Sequence, residues 1–204
     1  MNETSRGSRG GRRRALILAA AVAGIAVLAA CGSSSSPGAQ ASAHVYWANN
    51  NTIGRANLNG TGAIPRFIWA RRARMVAVTS RYIYWASNNN TIGRANLNGT
   101  GANPRFITGA SGPVGVAVNS KYVYWANNAT GTIGRANLDG TGVNQRFITG
   151  ADSPDALAID SKHVYWANFG IGTIGRANLN ATGVNQRFLI THSHPGGVAA
   201  AFGR

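Results

Sequence analysis

The chain has 204 residues, with 20 Lys and Arg against 5 Asp and Glu for a formal net charge of +15, and a single cysteine. One cysteine excludes an internal disulfide framework and a cysteine-rich zinc site, since both need a second thiol. A hydrophobic fraction of 44% excludes wholesale disorder, and the length suits one domain.

Residues 1–30 read as a signal peptide. Arg6, Arg9 and Arg12 to Arg14 precede an uncharged run, Ala15 to Ala30, which closes on Leu28-Ala29-Ala30-Cys31, the basic, apolar and small-residue order of an export signal. At about 1.5 Å per residue this run reaches about 24 Å, short of the ~20 residues that cross a bilayer. Removal is therefore expected rather than a permanent span. The small-residue run ending at the only cysteine resembles a bacterial lipobox. That resemblance implies that Cys31 is acylated and becomes the new N-terminus, with residues 31–43 as a Ser-, Pro- and Gly-containing tether. Each buried acyl methylene contributes about 0.8 kcal/mol, so a multiply acylated Cys31 would hold the protein on the extracytoplasmic face of a bacterial membrane.

Residues 44–204 repeat. Trp47, Trp85, Trp125 and Trp166 each follow a Tyr and precede an Ala, at separations of 38, 40 and 41 residues, the mark of a repeat architecture. Each copy continues with Thr-Ile-Gly-Arg-Ala-Asn-Leu around Arg55, Arg94, Arg135 and Arg176, then a turn, then Arg-Phe ending at Phe67, Phe106, Phe147 and Phe188. The third copy predicts four short strands, at Val116–Val118, Tyr122–Trp125, Thr132–Leu138 and Gln145–Thr149, bounded by Gly, Asn, Ser or Pro. Asn59-Gly60, Asn98-Gly99 and Asp139-Gly140 suit a tight hairpin with positive φ, whereas Asn180-Ala181 in the fourth copy is more strained there.

Four antiparallel strands recurring at about 40 residues predict an all-β chain of four β-propeller blades. Tyr124 to Asn127 followed by Ile133 to Gly140 resembles the YWTD (LDL-receptor class B) propeller repeat. The motif's Thr-Asp is replaced by Ala-Asn or Ala-Ser, so any pairing made by that Asp is lost here. Propellers of that family usually have six blades, whereas this chain holds four repeats and a fragment. The first copy lacks an innermost strand, and Gly197-Val198-Ala199-Ala200 resembles it. Closure by this tail, completion by a second chain as in a homo-oligomer, and a truncated array all fit the pattern.

The Tyr-Trp pairs recur at one strand position and are expected in the core; about 200 Å² buried per Trp is worth at most about 5 kcal/mol. Eight repeated arginines, the four of Ile-Gly-Arg with Arg66, Arg105, Arg146 and Arg187, outnumber Asp139, Asp152, Asp155 and Asp160. They are expected to stack on aromatic rings or stay solvated. The chief departure from the repeat is Trp69-Ala70-Arg71-Arg72-Ala73-Arg74, where copies three and four carry Gly- and Pro-containing connections. Trp69, Arg71, Arg72 and Arg74 are candidates for contact with an anion or glycan. The same rim is expected to gather Asn49, Asn50, Asn51, Asn88, Asn89, Asn90, Asn127, Asn128, Asn168 and Phe169.

No paired acids recur as a general acid and base, Cys31 is committed to acylation, and His192-Ser193-His194 lacks a third metal ligand, so no catalytic residue, cofactor or metal is expected. Basic charge with aromatics is also a nucleic-acid signature, but here the aromatics occupy packing positions and the chain carries an export signal. The expected partners are the membrane through Cys31 and an envelope protein, glycan or anionic polymer, not nucleic acid. The reading is a membrane-anchored lipoprotein presenting a non-catalytic propeller as a binding module. The alternatives are a cell-surface enzyme acting on a glycan or envelope polymer through Asp152, Asp155 or His192, and a propeller fragment that pairs with another chain.

Overall fold

The computed structural model describes residues 43–201 and a short strand, Ile25–Val27. Cys31, most of the expected signal peptide and most of the tether lie outside the described residues. The strands are β1 (Ile25–Val27), β2 (His44–Asn57), β3 (Ile64–Val78), β4 (Tyr82–Ser87), β5 (Thr91–Asn96), β6 (Asn103–Thr108), β7 (Pro113–Val118), β8 (Tyr122–Asn127), β9 (Thr132–Asn137), β10 (Asn144–Thr149), β11 (Pro154–Ile159), β12 (His163–Asn168), β13 (Thr173–Asn178) and β14 (Asn185–Ile190).

Strands β7–β10 and β11–β14 each form a four-stranded antiparallel blade in chain order. The first two blades share one sheet because β3 runs from the outer edge of blade 1 into the inner position of blade 2. Asn50 at φ 48° and Arg72 at φ 56° mark the bends of β2 and β3. Strand β2 is itself a folded hairpin: its open end is closed by the Leu58 N–H donating to the Ala43 carbonyl at 3.3 Å, as Leu97 donates to Arg81, Leu138 to Lys121 and Leu179 to Lys162 in the other blades. The four-bladed all-β architecture matches the repeat, and the strands of the third copy fall within a few residues of their expected ends.

Each blade offers a Trp face to the blade before it and a Tyr face to the blade after it. Tyr46 packs in one cluster with Trp85, Tyr84 with Trp125, and Tyr124 with Trp166, and all six of these side chains are buried. The indole lies flat on the glycine of Ile-Gly-Arg, so a Cβ at Gly54, Gly93, Gly134 or Gly175 would enter the ring of Trp47, Trp85, Trp125 or Trp166. The repeated glycine is thus required by a close approach, not by a turn.

Polar groups join the same junctions. In blades 3 and 4 the indole N–H donates to Gln145 or Gln186 at 2.9 Å, and that glutamine donates back to the carbonyl of Thr108 or Thr149 in the preceding blade. Pro104 stands at this position in blade 2, and Trp85 Nε1 is left buried without a partner. The Ile-Gly-Arg arginines stack as expected: Arg94 lies over Tyr82 and Phe106 at 4.4 and 4.0 Å, and Arg135 over Tyr122 and Phe147 at 4.3 and 3.8 Å. Their guanidinium groups then donate forward, Arg94 to the Leu138 carbonyl at 3.0 Å and Arg135 to the Leu179 carbonyl at 3.1 Å. Hairpin turns seat the preceding blade's Phe: Gly140, at φ 91°, leaves room for Phe106 where a Cβ would crowd the ring. Ala181 takes the same turn position at φ 67°, the strained conformation expected of Asn180-Ala181.

The array is open. Among the described residues no core cluster or hydrogen bond joins blade 4 to blade 1. The tail, whose closure of the ring is one of the three arrangements open in the sequence, is not a strand: Gly197 to Ala200 pair with nothing, and Val198 lies against Ala156, Ala167 and Ile174 of blade 4. The inner position on β2 is taken instead by β1, with Ile25, Ala26 and Val27 opposite Trp47, Tyr46 and Val45. That register is the one Val116, Ala117 and Val118 make with Trp125, Tyr124 and Val123.

Because the indole and Gly134 are in contact, Gly134→Ala is expected to lower unfolding stability by about 3 kcal/mol, the upper part of the overpacking range. Gly60→Ala, at a turn where a Cβ meets nothing within 4 Å, is expected to cost only about 1 kcal/mol through its positive φ. Urea unfolding midpoints of the two variants measure the difference.

Candidate functional site

The rim that carries the turns between second and third strands also carries the links from one blade to the next. Its side chains fall into two groups. Asn127 and Asn168 are buried staples: Oδ1 accepts from the Ser111 or Asp152 N–H at 2.9 and 3.0 Å. Nδ2 of each donates to a threonine hydroxyl and to the carbonyl of Gln145 or Gln186. Their amides are consumed within the fold, which corrects the expectation that they face a ligand. Asn128 donates to the Pro154 carbonyl at 3.4 Å, and the Phe169 ring stacks on His194 with centroids 5.0 Å apart while the Phe169 carbonyl contacts His194 Nδ1 at 2.6 Å. These side chains hold links in place too.

The junction of blades 1 and 2 differs. Where the later blades have a Gly- and Pro-containing link, β3 continues as strand. Ile68, Ala70 and Ala73 turn inward while Trp69, Arg71, Arg72 and Arg74 stay exposed, Trp69 at 70%. The main chain here is pinned to neighbouring turns: the Arg72 N–H donates to Asn51 Oδ1 at 3.3 Å, Ser87 Oγ donates to the Arg71 carbonyl at 2.8 Å, Asn89 Nδ2 to the same carbonyl at 3.3 Å, and the Asn88 N–H to the Arg72 carbonyl at 3.1 Å. Asn90 reaches forward, accepting from the Gly112 N–H at 3.0 Å. The fold therefore brings Asn49 to Asn51, Asn88, Asn89, Trp69, Arg71 and Arg72 together. The two guanidinium groups make no hydrogen bond within the described residues, and no described acid pairs with them.

Arg74 belongs elsewhere. It lies on the inner strand of blade 2, close enough to Asp155 on β11 to bear on its titration. Burial pushes the Asp155 carboxyl up, and the Arg74 charge partly offsets this. The pair faces the centre of the array, apart from Trp69. Arg66, Arg105, Arg146 and Arg187 are exposed, one on the outermost strand of each blade. No group of three or more His, Cys, Asp or Glu among the described residues is placed to hold a metal ion.

Neither a family model nor a curated sequence matches this chain. Solved structures do. The nidogen/laminin complex aligns with a TM-score of 0.67 and 22% identity over 78% of this chain and 64% of that one. Virginiamycin B lyase from Staphylococcus aureus aligns with a TM-score of 0.62 and 22% identity over 79% and 57%. The computationally designed Ika4 protein aligns with a TM-score of 0.54 and 11% identity over 69% and 86%. The fold is a β-propeller, and the chain spans 64% and 57% of the length of the first two.

On the opposite rim Asp160 caps the turn between β11 and β12. Burial raises its carboxyl, but the backbone N–H groups of Lys162 and His163 and the Tyr165 hydroxyl donate to it and bring it down to about 2. A carboxyl depressed in the folded state stabilises above its ordinary value near 4, and that stabilisation is lost as pH falls toward 2. Asp160→Asn is expected to flatten this acid limb, read as the change in urea midpoint between pH 5 and pH 2 for the variant against the parent.

Proposed function

We propose that the protein is a lipid-anchored extracytoplasmic β-propeller that binds an anionic envelope polymer or glycan without catalysing a reaction. The observation that carries this is the rim patch at blades 1 and 2, where the Trp69 ring stands exposed beside two arginines whose main chain is pinned and whose charges are unspent. A pinned main chain lowers the ordering cost of binding. An exposed indole offers a sugar or a cation a flat face, and paired guanidinium groups suit phosphate or carboxylate oxygens. From residue 32 onward the chain has 15 basic and 4 acidic residues, a net of +11, so a polyanion is attracted over about a Debye length before contact.

Two measurements test the two halves of this reading. Labelled palmitate is expected to enter the chain in a bacterial host and to be lost in Cys31→Ala; label remaining on that variant refutes the anchor. Polyphosphate, used as the probe, is expected to bind in a salt-dependent way, and the Trp69→Ala, Arg71→Ala, Arg72→Ala variant to bind at least about tenfold more weakly, about 1.4 kcal/mol. Removing Arg105 and Arg146 deletes the same charge from the outer strands and is expected to cost less. Equal losses would reduce the patch to net charge alone.

A further inference from the structure

The junction that occurs three times inside the chain is also present as two separated halves. On blade 1, Trp47 is partly exposed and belongs to none of the core clusters, although its three counterparts are fully buried. Leu58 beside it is 53% exposed, whereas Leu97, Leu138 and Leu179 at the same position are half-buried. On blade 4, Leu189 is 54% exposed, while Ile68, Ile107 and Ile148 at its position are 2–3% exposed. Tyr165 is only partly covered, and its hydroxyl donates to Asp160 in its own blade at 2.9 Å. Tyr46 and Tyr84 donate instead to the Leu97 and Leu138 carbonyls of the next blade. Arg176 stacks on Phe188 as Arg94 and Arg135 stack on Phe106 and Phe147, but unlike those two it makes no forward bond. Blade 1 therefore exposes a Trp face and blade 4 the Tyr face that fits it.

The strand needed between them is also present. Pro195 to Ala200 follows β14 at the same spacing as Pro154 to Ile159 follows β10. Val198 already rests on Ala167 and Ile174, as Leu157 rests on Ala126 and Ile133, and Val116 on Ala86 and Ile92. What it lacks is a strand to pair with. The free edge of that register is Val45 to Trp47, held here by β1, which lies in the segment expected to be removed on export.

We propose that two copies of the chain associate head to tail. Pro195 to Ala200 of each copy pairs with Val45 to Trp47 of the other, and Trp47 of each packs on Tyr165, Ile174 and Leu189 of the other. A junction that joins different faces is heterologous, and two such junctions close a pair into a ring of eight blades. Within one chain these faces stay apart among the described residues.

The register sets the test. Ala200 opposite Val45 corresponds to Val118 opposite Val123, and directly opposed residues have Cα atoms about 4.5–5.5 Å apart, within disulfide range. The full chain is co-expressed in a bacterial host with two different tags, one copy carrying Val45→Cys and the other Ala200→Cys, each keeping Cys31. Mild oxidation of the extract is expected to give a species of twice the chain mass bearing both tags, absent when either new cysteine is omitted. Leu189→Arg, at a side chain already exposed, is expected to abolish that species while native secondary structure is retained. Both cysteines placed in one chain are expected to give double-mass species. A single-mass internal bridge would mean that the ring closes on itself, and it would overturn the proposal. So would the absence of any cross-link, a ladder of higher multiples, or a two-tag species that survives Leu189→Arg.

Discussion

A blade of this protein cannot bury its own faces; each needs its neighbour, and the dependence is concentrated where a Tyr of one blade meets the Trp of the next. The Trp can reach that neighbour only by lying flat on its own sheet, and it lies flat only because the residue opposite is glycine: Gly93 faces Trp85, Gly134 faces Trp125 and Gly175 faces Trp166. The rest of the repeat is arranged around this contact. The flanking Ile is buried in the junction and the flanking Arg, one residue on, turns outward to stack on rings from its own blade. Such coupling of like units is why repeat proteins are stable as a sum of neighbour terms.

That arrangement also accounts for most of the charge. An arginine between two rings with its guanidinium on a carbonyl of the next blade needs no carboxylate, because cation–π attraction and a charge-assisted hydrogen bond replace the ion pair. A chain with four times as many basic as acidic residues can therefore fold with few ion pairs; among the described residues no Arg or Lys pairs with an acid, and the one close basic–acidic contact is His163 Nδ1 with Asp160 at 3.3 Å. The arginines of the outer strands and of the Trp69 segment take no part in it, which separates charge used for folding from charge left for a partner.

The strands, the aromatic core and the strained turn at Ala181 were legible in the sequence because they follow period, residue size and backbone preference at single positions. The site was legible only in part. Trp69, Arg71 and Arg72 stood out as a break in the repeat, and the fold keeps them together. Asn127 and Asn168 look the same in sequence as Asn88 and Asn89, since a turn position says nothing about whether an amide faces solvent or a buried threonine. Arg74 sits two residues beyond Arg72, yet the bend at Arg72 carries it to the centre of the array beside Asp155. The missing partner of Trp85 was readable only as Pro104 in place of glutamine, a signal that has meaning once the indole is known to point there.

The inner strand shows how narrow the requirement on a closing segment is. Ala77, Ala117 and Ala158 hold the middle of the three inner strands that follow blade junctions, where neighbouring strands crowd together; a Cβ on Gly115 would strike the Asp155 carbonyl of the next strand. A small residue flanked by β-branched or aliphatic ones is what such a position accepts, because a larger one would force the inner strands apart and open every junction outside them. Ile25-Ala26-Val27 and Val198-Ala199-Ala200 both meet that requirement. Only the second arrives already resting on the blade face that the edge strand must also cover, so it brings apolar contact along with backbone pairing, and the two segments are unequal competitors for the same edge once a facing blade is within reach.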